Sequence, residues 1–151
     1  MRLWHDDLIP FLPRQQLLGQ HRECCALRGK GWDKPHSTVN YVFQYSPYRL
    51  YLYHQRVMDE MQERGYRVDE LWINPLYRGK HCDRHHSLER ISIKETPIYP
   101  EHNDTYLNEC LENLEEKGVI ITHAALNDPH TTSTYKAHND SHRSSSLREL
   151  H

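Results

Sequence analysis

Proline and glycine cut this chain into helix-length pieces, and that punctuation limits its fold more than any other feature. Pro13 suits a first helical position, and the segment after it runs to about Arg28 before Gly29 offers a stop. Pro47 can open a second helix reaching Arg64, with Gly65 after it. A third covers about Thr105–Lys117 and meets Gly118. Each piece carries apolar residues at i, i+3, i+4 spacing: Leu17, Leu18, His21, Cys24, Cys25 and Arg28 in the first; Leu50, Tyr51, His54, Val57, Met58 and Met61 in the second; Leu107, Cys110, Leu111 and Leu114 in the third. Gln16, Gly19, Gln20 and Glu23 fall on a neighbouring face of the first helix. The spacing predicts a mainly α protein of three helices joined by long irregular loops.

Between these pieces the sequence is less regular. Met1–Phe11 reads as an extended or irregular arm, because Pro10 and Pro13 limit helix there. Thr38–Phe43 reads as a helical or irregular approach, Tyr66–Trp72 as extended, and Asn74–Asn103 as a long polar loop. The tyrosines of Tyr45–Tyr53 are expected in the core. From Asn127 the composition turns to Ser, Thr, Asn and His, which gives one domain over 1–126 and a poorly ordered polar tail over 127–151. The hydrophobic fraction is 36%, so the core must be small. No stretch approaches the ~20 apolar residues of a membrane span, and no signal peptide is visible at the charged Met1–Asp7. The expected compartment is the cytoplasm, with Cys24, Cys25, Cys82 and Cys110 as free thiols.

Charge argues against a strongly basic nucleic-acid binder, since the net value is −2. The distribution is uneven. Residues 1–67 hold ten Lys and Arg against seven Asp and Glu, and residues 68–151 hold nine against fourteen.

The run Leu12-Pro-Arg-Gln-Gln-Leu-Leu-Gly-Gln-His-Arg22-Glu23 resembles the first helix of the pyrimidine-dimer DNA glycosylase/AP lyase (phage endonuclease V-like) family, and most of all its bacterial branch beginning Met-Arg-Leu-Trp. A second similar stretch is Leu50–Tyr66, ending Arg64-Gly65-Tyr66. Together they cover roughly residues 1–66. The resemblance implies a compact domain with the N-terminal arm threaded between helices. It implies a DNA repair enzyme acting on damaged or abasic duplex through an N-terminal amine, with no metal and no cofactor. Met1 is expected to stay in place before Arg2, so its α-amine, with an ordinary pKa of about 7.7–8.0, would be the nucleophile. Glu23 would be the carboxylate that moves protons. Arg2 and Arg22 would touch the DNA backbone, joined by Arg28 and by His36 before the second helix. Methionine stands where the phage enzyme has threonine, and the family's aromatic, basic C-terminal segment is not recognisable here.

Two alternatives remain open at this point. One is a nucleic-acid-binding protein of the same fold without catalysis. The other is a metal-binding or regulatory protein using His81-Cys82-Asp83-Arg84-His85-His86, with His102 as a further ligand. His, Cys and Asp are metal-ligand types, but their spacing here fits no strong zinc pattern, and a polar loop in a histidine-rich chain explains them better.

Overall fold

A computed structural model describes residues 2–29, 39–93 and 97–127. Met1, His36 and the tail from 128 onward lie outside the described residues. The described chain is helical, with no strand. Four α-helices span Arg14–Arg28 (α1), Pro47–Glu63 (α2), Asp104–Glu116 (α3) and His123–Leu126 (α4). Three are those the punctuation predicts. Pro13 stands just before α1 rather than in its first turn. Ser46 and Asn103 cap α2 and α3 by accepting from the backbone N–H of Tyr48 and Tyr106. Gly65 and Gly118 take positive φ, 85° and 82°, after α2 and α3. The N–H of the next residue then returns to a carbonyl five positions back, Tyr66 to Met61 and Val119 to Leu114, both at 2.9 Å or less.

The arm departs from the expected extended form. His5 caps a 3₁₀ turn over Asp6–Phe11, its Nδ1 accepting from the Asp7 N–H at 3.1 Å. Asp6 anchors that turn. Its buried carboxylate accepts from Arg56 at 2.6 Å and from the Ile98 N–H at 3.0 Å. Arg64 donates to the Leu12 and Pro10 carbonyls, tying the end of α2 to the turn. A 3₁₀ turn over Asn40–Gln44 agrees with the helical or irregular approach expected there, whereas a third, Glu70–Ile73, falls in a segment that reads as extended.

α1 packs on α2, and the arm lies against both. Leu3 and Trp4 are buried, as are Leu8, Ile9 and Leu12 beyond them. The contact that fixes this part of the arm is Gln20 on α1, 2% exposed. Its Oε1 accepts from the Trp4 N–H at 2.6 Å, and its Nε2 donates to the Arg2 carbonyl at 3.0 Å. The Tyr53 hydroxyl of α2 shares its hydrogen between the Trp4 carbonyl and Gln20 Oε1. From α3, the Tyr106 hydroxyl donates to the Leu3 carbonyl. An extended strand cannot satisfy its own backbone, so its burial requires outside partners of this kind. All three long helices supply one.

Below the arm, His102 is the hub of an aromatic cluster. Its ring stacks on His5 and Tyr106, with centroids 5.6 and 5.0 Å away, and Tyr41, Tyr53 and Tyr99 surround it at 5.7–5.8 Å. Its Nε2 meets the Tyr41 hydroxyl at 2.7 Å. Tyr51 and Tyr53 are buried, so these tyrosines of α2 are core residues as expected.

Two measurements test this packing. Gln20→Ala strands the buried Trp4 N–H and Arg2 carbonyl and removes three hydrogen bonds, which should cost about 2–3 kcal/mol. Urea unfolding reads this directly, and a loss below about 0.5 kcal/mol would contradict the clamp. The second is acid sensitivity. Burial, then the His5 ring, holds His102 down to about 3 from an ordinary 6.5. His54 is also held well below its usual range, by burial first and Arg28 second. Above pH 6.5 neither imidazole makes stability depend on pH. As pH falls from 6.5 toward 3 the unfolded chain takes up protons that the folded chain refuses, so stability declines, by up to about 1.4 kcal/mol per pH unit for each such group. His102→Gln should lower that acid slope, and an unchanged slope between pH 6 and 4 would refute the assignment.

Candidate active site

The first turns of α1, the start of the arm and the end of α3 enclose an open cleft of roughly 450 Å³. Glu23 and Arg22 line it from α1, and Arg2 and Trp4 from the arm. Asn113 and Lys117 line it from α3, the Lys117 ammonium donating to Asn113 Oδ1 at 2.8 Å. Gln15, Gln16 and Gly19 complete the α1 wall. Gln20 holds the Arg2 carbonyl and Tyr106 that of Leu3, and the Arg2 guanidinium lies over the Tyr106 ring at 5.6 Å.

Glu23 is the carboxylate among these cations. Its Oε2 is buried and, among the described residues, has no hydrogen-bond partner. A desolvated carboxylate oxygen without a donor is costly; Asp6 Oδ1 and Glu63 Oε2 lack a partner in the same way, so what sets Glu23 apart is the cations around it. Gly19, one turn before Glu23, leaves this face of the helix open. A Cβ there would meet only the tip of Arg22, at 3.7 Å, so no neighbouring helix demands a glycine.

A second cleft has the opposite charge. Asp6, Asp59, Glu60 and Glu63 line it with Arg56 as its cation. The Glu23 cleft therefore carries the local positive charge, even though the chain as a whole is acidic.

The expected site residues separate into three groups. Arg2, Arg22 and Glu23 come together in one cleft. Met1 and His36 lie outside the described residues. Arg28, expected to face DNA, is instead 5% exposed and bound to the protein itself. Its guanidinium donates to the carbonyls of Trp72, Asn74 and Tyr77 at 2.8–3.0 Å and contacts His54 Nδ1 at 3.0 Å. It also lies over the rings of Tyr51 and Trp72 at 5.1 and 5.0 Å. All of its recognition capacity goes into joining α1, α2 and the 72–77 segment, so it is a structural clamp. Lys117 takes the third cationic place in the cleft. Sequence reasoning missed it because α3 lies far along the chain, and its only local signal is a lysine at a helix end.

The metal alternative at residues 81–86 finds no support. Among the described residues, His81, Cys82, His85 and His86 do not converge into a ligand set. His102 sits in the aromatic cluster instead.

Residues 1–74 match the pyrimidine dimer DNA glycosylase family. That match bears out the resemblance carried by Leu12–Glu23 and Leu50–Tyr66, and it supports a pyrimidine dimer DNA glycosylase-like role for this part of the chain. No curated protein and no solved structure matches the chain. The matched stretch holds Arg2, Gly19, Arg22 and Glu23 and ends before α3. Asn113 and Lys117, which also line the cleft, lie outside the matched stretch. No described helix is long and apolar enough to cross a membrane.

Gly19→Ala separates folding from function. Within a helix the change should stabilise by about 0.5–1 kcal/mol, while its methyl group enters the cleft beside Glu23. Base excision should fall with Tm unchanged or raised. A variant with full activity would show that substrate does not approach this face.

Proposed function

We propose that this protein is a DNA glycosylase with lyase activity, in which the α-amine of Met1 is the nucleophile and Glu23 the proton-moving carboxylate. The observation that carries the proposal is the unpartnered Glu23 oxygen in a cleft bordered by Arg2, Arg22 and Lys117. The arm enters this cleft with Arg2, one residue after the proposed nucleophile.

The chemistry follows from those groups. The lesion is extruded from the stack at a cost of a few kcal/mol, while Arg2, Arg22 and Lys117 hold the flanking phosphates. The neutral amine attacks the sugar C1′ and the base leaves. Opening of the sugar ring gives a covalent imine between the Met1 nitrogen and C1′. The imine acidifies the C2′ protons. Glu23 removes one of them, and the C3′–O bond breaks by β-elimination, cutting the strand. Water then hydrolyses the imine and frees the amine. Glu23 first stabilises the positive charge that develops on the sugar, so one carboxylate serves both stages. A pyrimidine dimer is the substrate the family suggests, and an abasic site enters the same sequence after the base-loss step.

Borohydride reduction with an abasic duplex tests the proposal. Native protein should give a covalent adduct, and protein with an N-terminal extension should give none. Glu23→Gln should fold normally and lose strand cleavage by at least about 100-fold. Absence of an adduct from native protein at low salt would leave a non-catalytic DNA-binding protein of this fold as the better reading.

The number of cations also sets the salt dependence. Three phosphate contacts give a slope of log K against log salt of about −2.7, and each contact removed lowers it by about 0.9. Lys117→Ala should therefore bind DNA with a slope near −1.8 in a fluorescence-anisotropy titration. An unchanged slope would remove Lys117 from the interface.

A further inference from the structure

A second cluster of reactive side chains lies on α1 and α2 and takes no part in the proposed reaction. His21 and Cys25 are one helical turn apart on α1, and His54 faces them from α2. His21 Nδ1 is 2.8 Å from His54 Nε2, and Cys25 Sγ is 3.7 Å from His21 Nε2 and 4.0 Å from His54 Nε2. One potential ligand atom from each residue lies within 4.8 Å of the other two. His54 is buried, while His21 and Cys25 are half-buried, so an ion can enter from the α1 side.

We propose that His21, Cys25 and His54 form a binding site for a thiophilic divalent ion of the zinc class, with a fourth position open to water. Zinc bonds of about 2.0–2.1 Å to nitrogen and 2.3 Å to sulfur place neighbouring ligand atoms roughly 3.3–3.6 Å apart. With His21 ligating through Nδ1, the two imidazole nitrogens part by about half an ångström, and the Cys25 sulfur, now nearest the other ring nitrogen of His21, rotates toward Nδ1. Thiolate and imidazole together favour zinc-class ions over magnesium or calcium.

The proton balance is defined. Burial holds both imidazoles below their usual range, helped at His21 by Arg22 and Arg28 and at His54 by Arg28, so both are neutral at pH 7. Burial pushes the Cys25 thiol up to about 11, so the ion must displace its proton, and one proton leaves per ion bound. His54 Nδ1 now meets an Arg28 donor, which places the His54 proton on Nε2. On ligation through Nε2 that proton moves to Nδ1. Arg28 then loses this bond, and its Nη1, shared with the Trp72 carbonyl, has to shift away from the new Nδ1–H, while Nη2 keeps the Asn74 and Tyr77 carbonyls. The nearby guanidinium weakens binding of a dication, so this site is weaker than an all-cysteine one. Its consequence is mechanical: the ion cross-links α1 to α2.

Cobalt and zinc titration of the full-length, reduced protein tests the site. Co²⁺ should bind one per chain, with a thiolate-to-cobalt charge-transfer band and the intense d–d bands of a tetrahedral site, and Zn²⁺ should displace it. Cys25→Ser should abolish the charge-transfer band, His21→Gln should weaken binding at least tenfold, and Cys82→Ser should change neither. In unmodified protein, Zn²⁺ should raise Tm with concentration and shield Cys25 from alkylation, as mapped by mass spectrometry. A missing thiolate band, a band that survives Cys25→Ser, or equal alkylation of Cys25 with and without Zn²⁺ would overturn the proposal.

Discussion

A single buried amide fixes the path of the arm from Arg2 to Trp4. Gln20 spends both ends of its side chain on the arm, accepting from the Trp4 N–H and donating to the Arg2 carbonyl. Without it, a strand carrying Leu3 and Trp4 would have to bury backbone groups unpaired, and the arm would instead stay in water. With the arm in place, Tyr53 and Tyr106 close the remaining carbonyls, and α3 gains a surface to rest on. The Glu23 cleft follows from this, since its walls are the arm, α1 and α3. The position of Arg2 is therefore a result of packing three residues away from the proposed chemistry.

Charge placement does the work that overall composition does not. A protein with net charge −2 makes a poor polyanion binder on average. Here the arginines are divided by task. Arg28, Arg56 and Arg64 bind the protein's own carbonyls and carboxylates, while Arg2 and Arg22 border the cleft with Lys117. The carboxylates of Asp6, Asp59, Glu60 and Glu63 gather around a separate cleft. At physiological salt, screening over about 8 Å makes this local pattern matter more than the sum.

The helices were legible because they are written in local terms. Pro47, Gly65 and Gly118 act through their own backbone, and the stripes Leu50–Met61 and Leu107–Leu114 repeat every three or four residues. Arg22 and Glu23 were legible as a pair only through the family pattern, because an Arg-Glu step on a helix has no local signature of a site. What escaped depends on partners far along the chain. Gln20 falls beside the apolar stripe of its helix and gains its role only when Trp4 arrives from 16 positions away. Arg28 reads as a DNA contact until three carbonyls from residues 72–77 surround it. His102 and His54 become special only through the rings and ligand types that the fold brings to them.

The central claim is that the start of the chain delivers the nucleophile to Glu23. Peptide mapping of the borohydride-reduced protein–DNA adduct tests it most directly. After nuclease and protease digestion, the sugar remnant should be found by mass spectrometry on the α-nitrogen of Met1. A remnant on a lysine side chain, Lys117 above all, would contradict the account and assign the imine to a different amine in the same cleft.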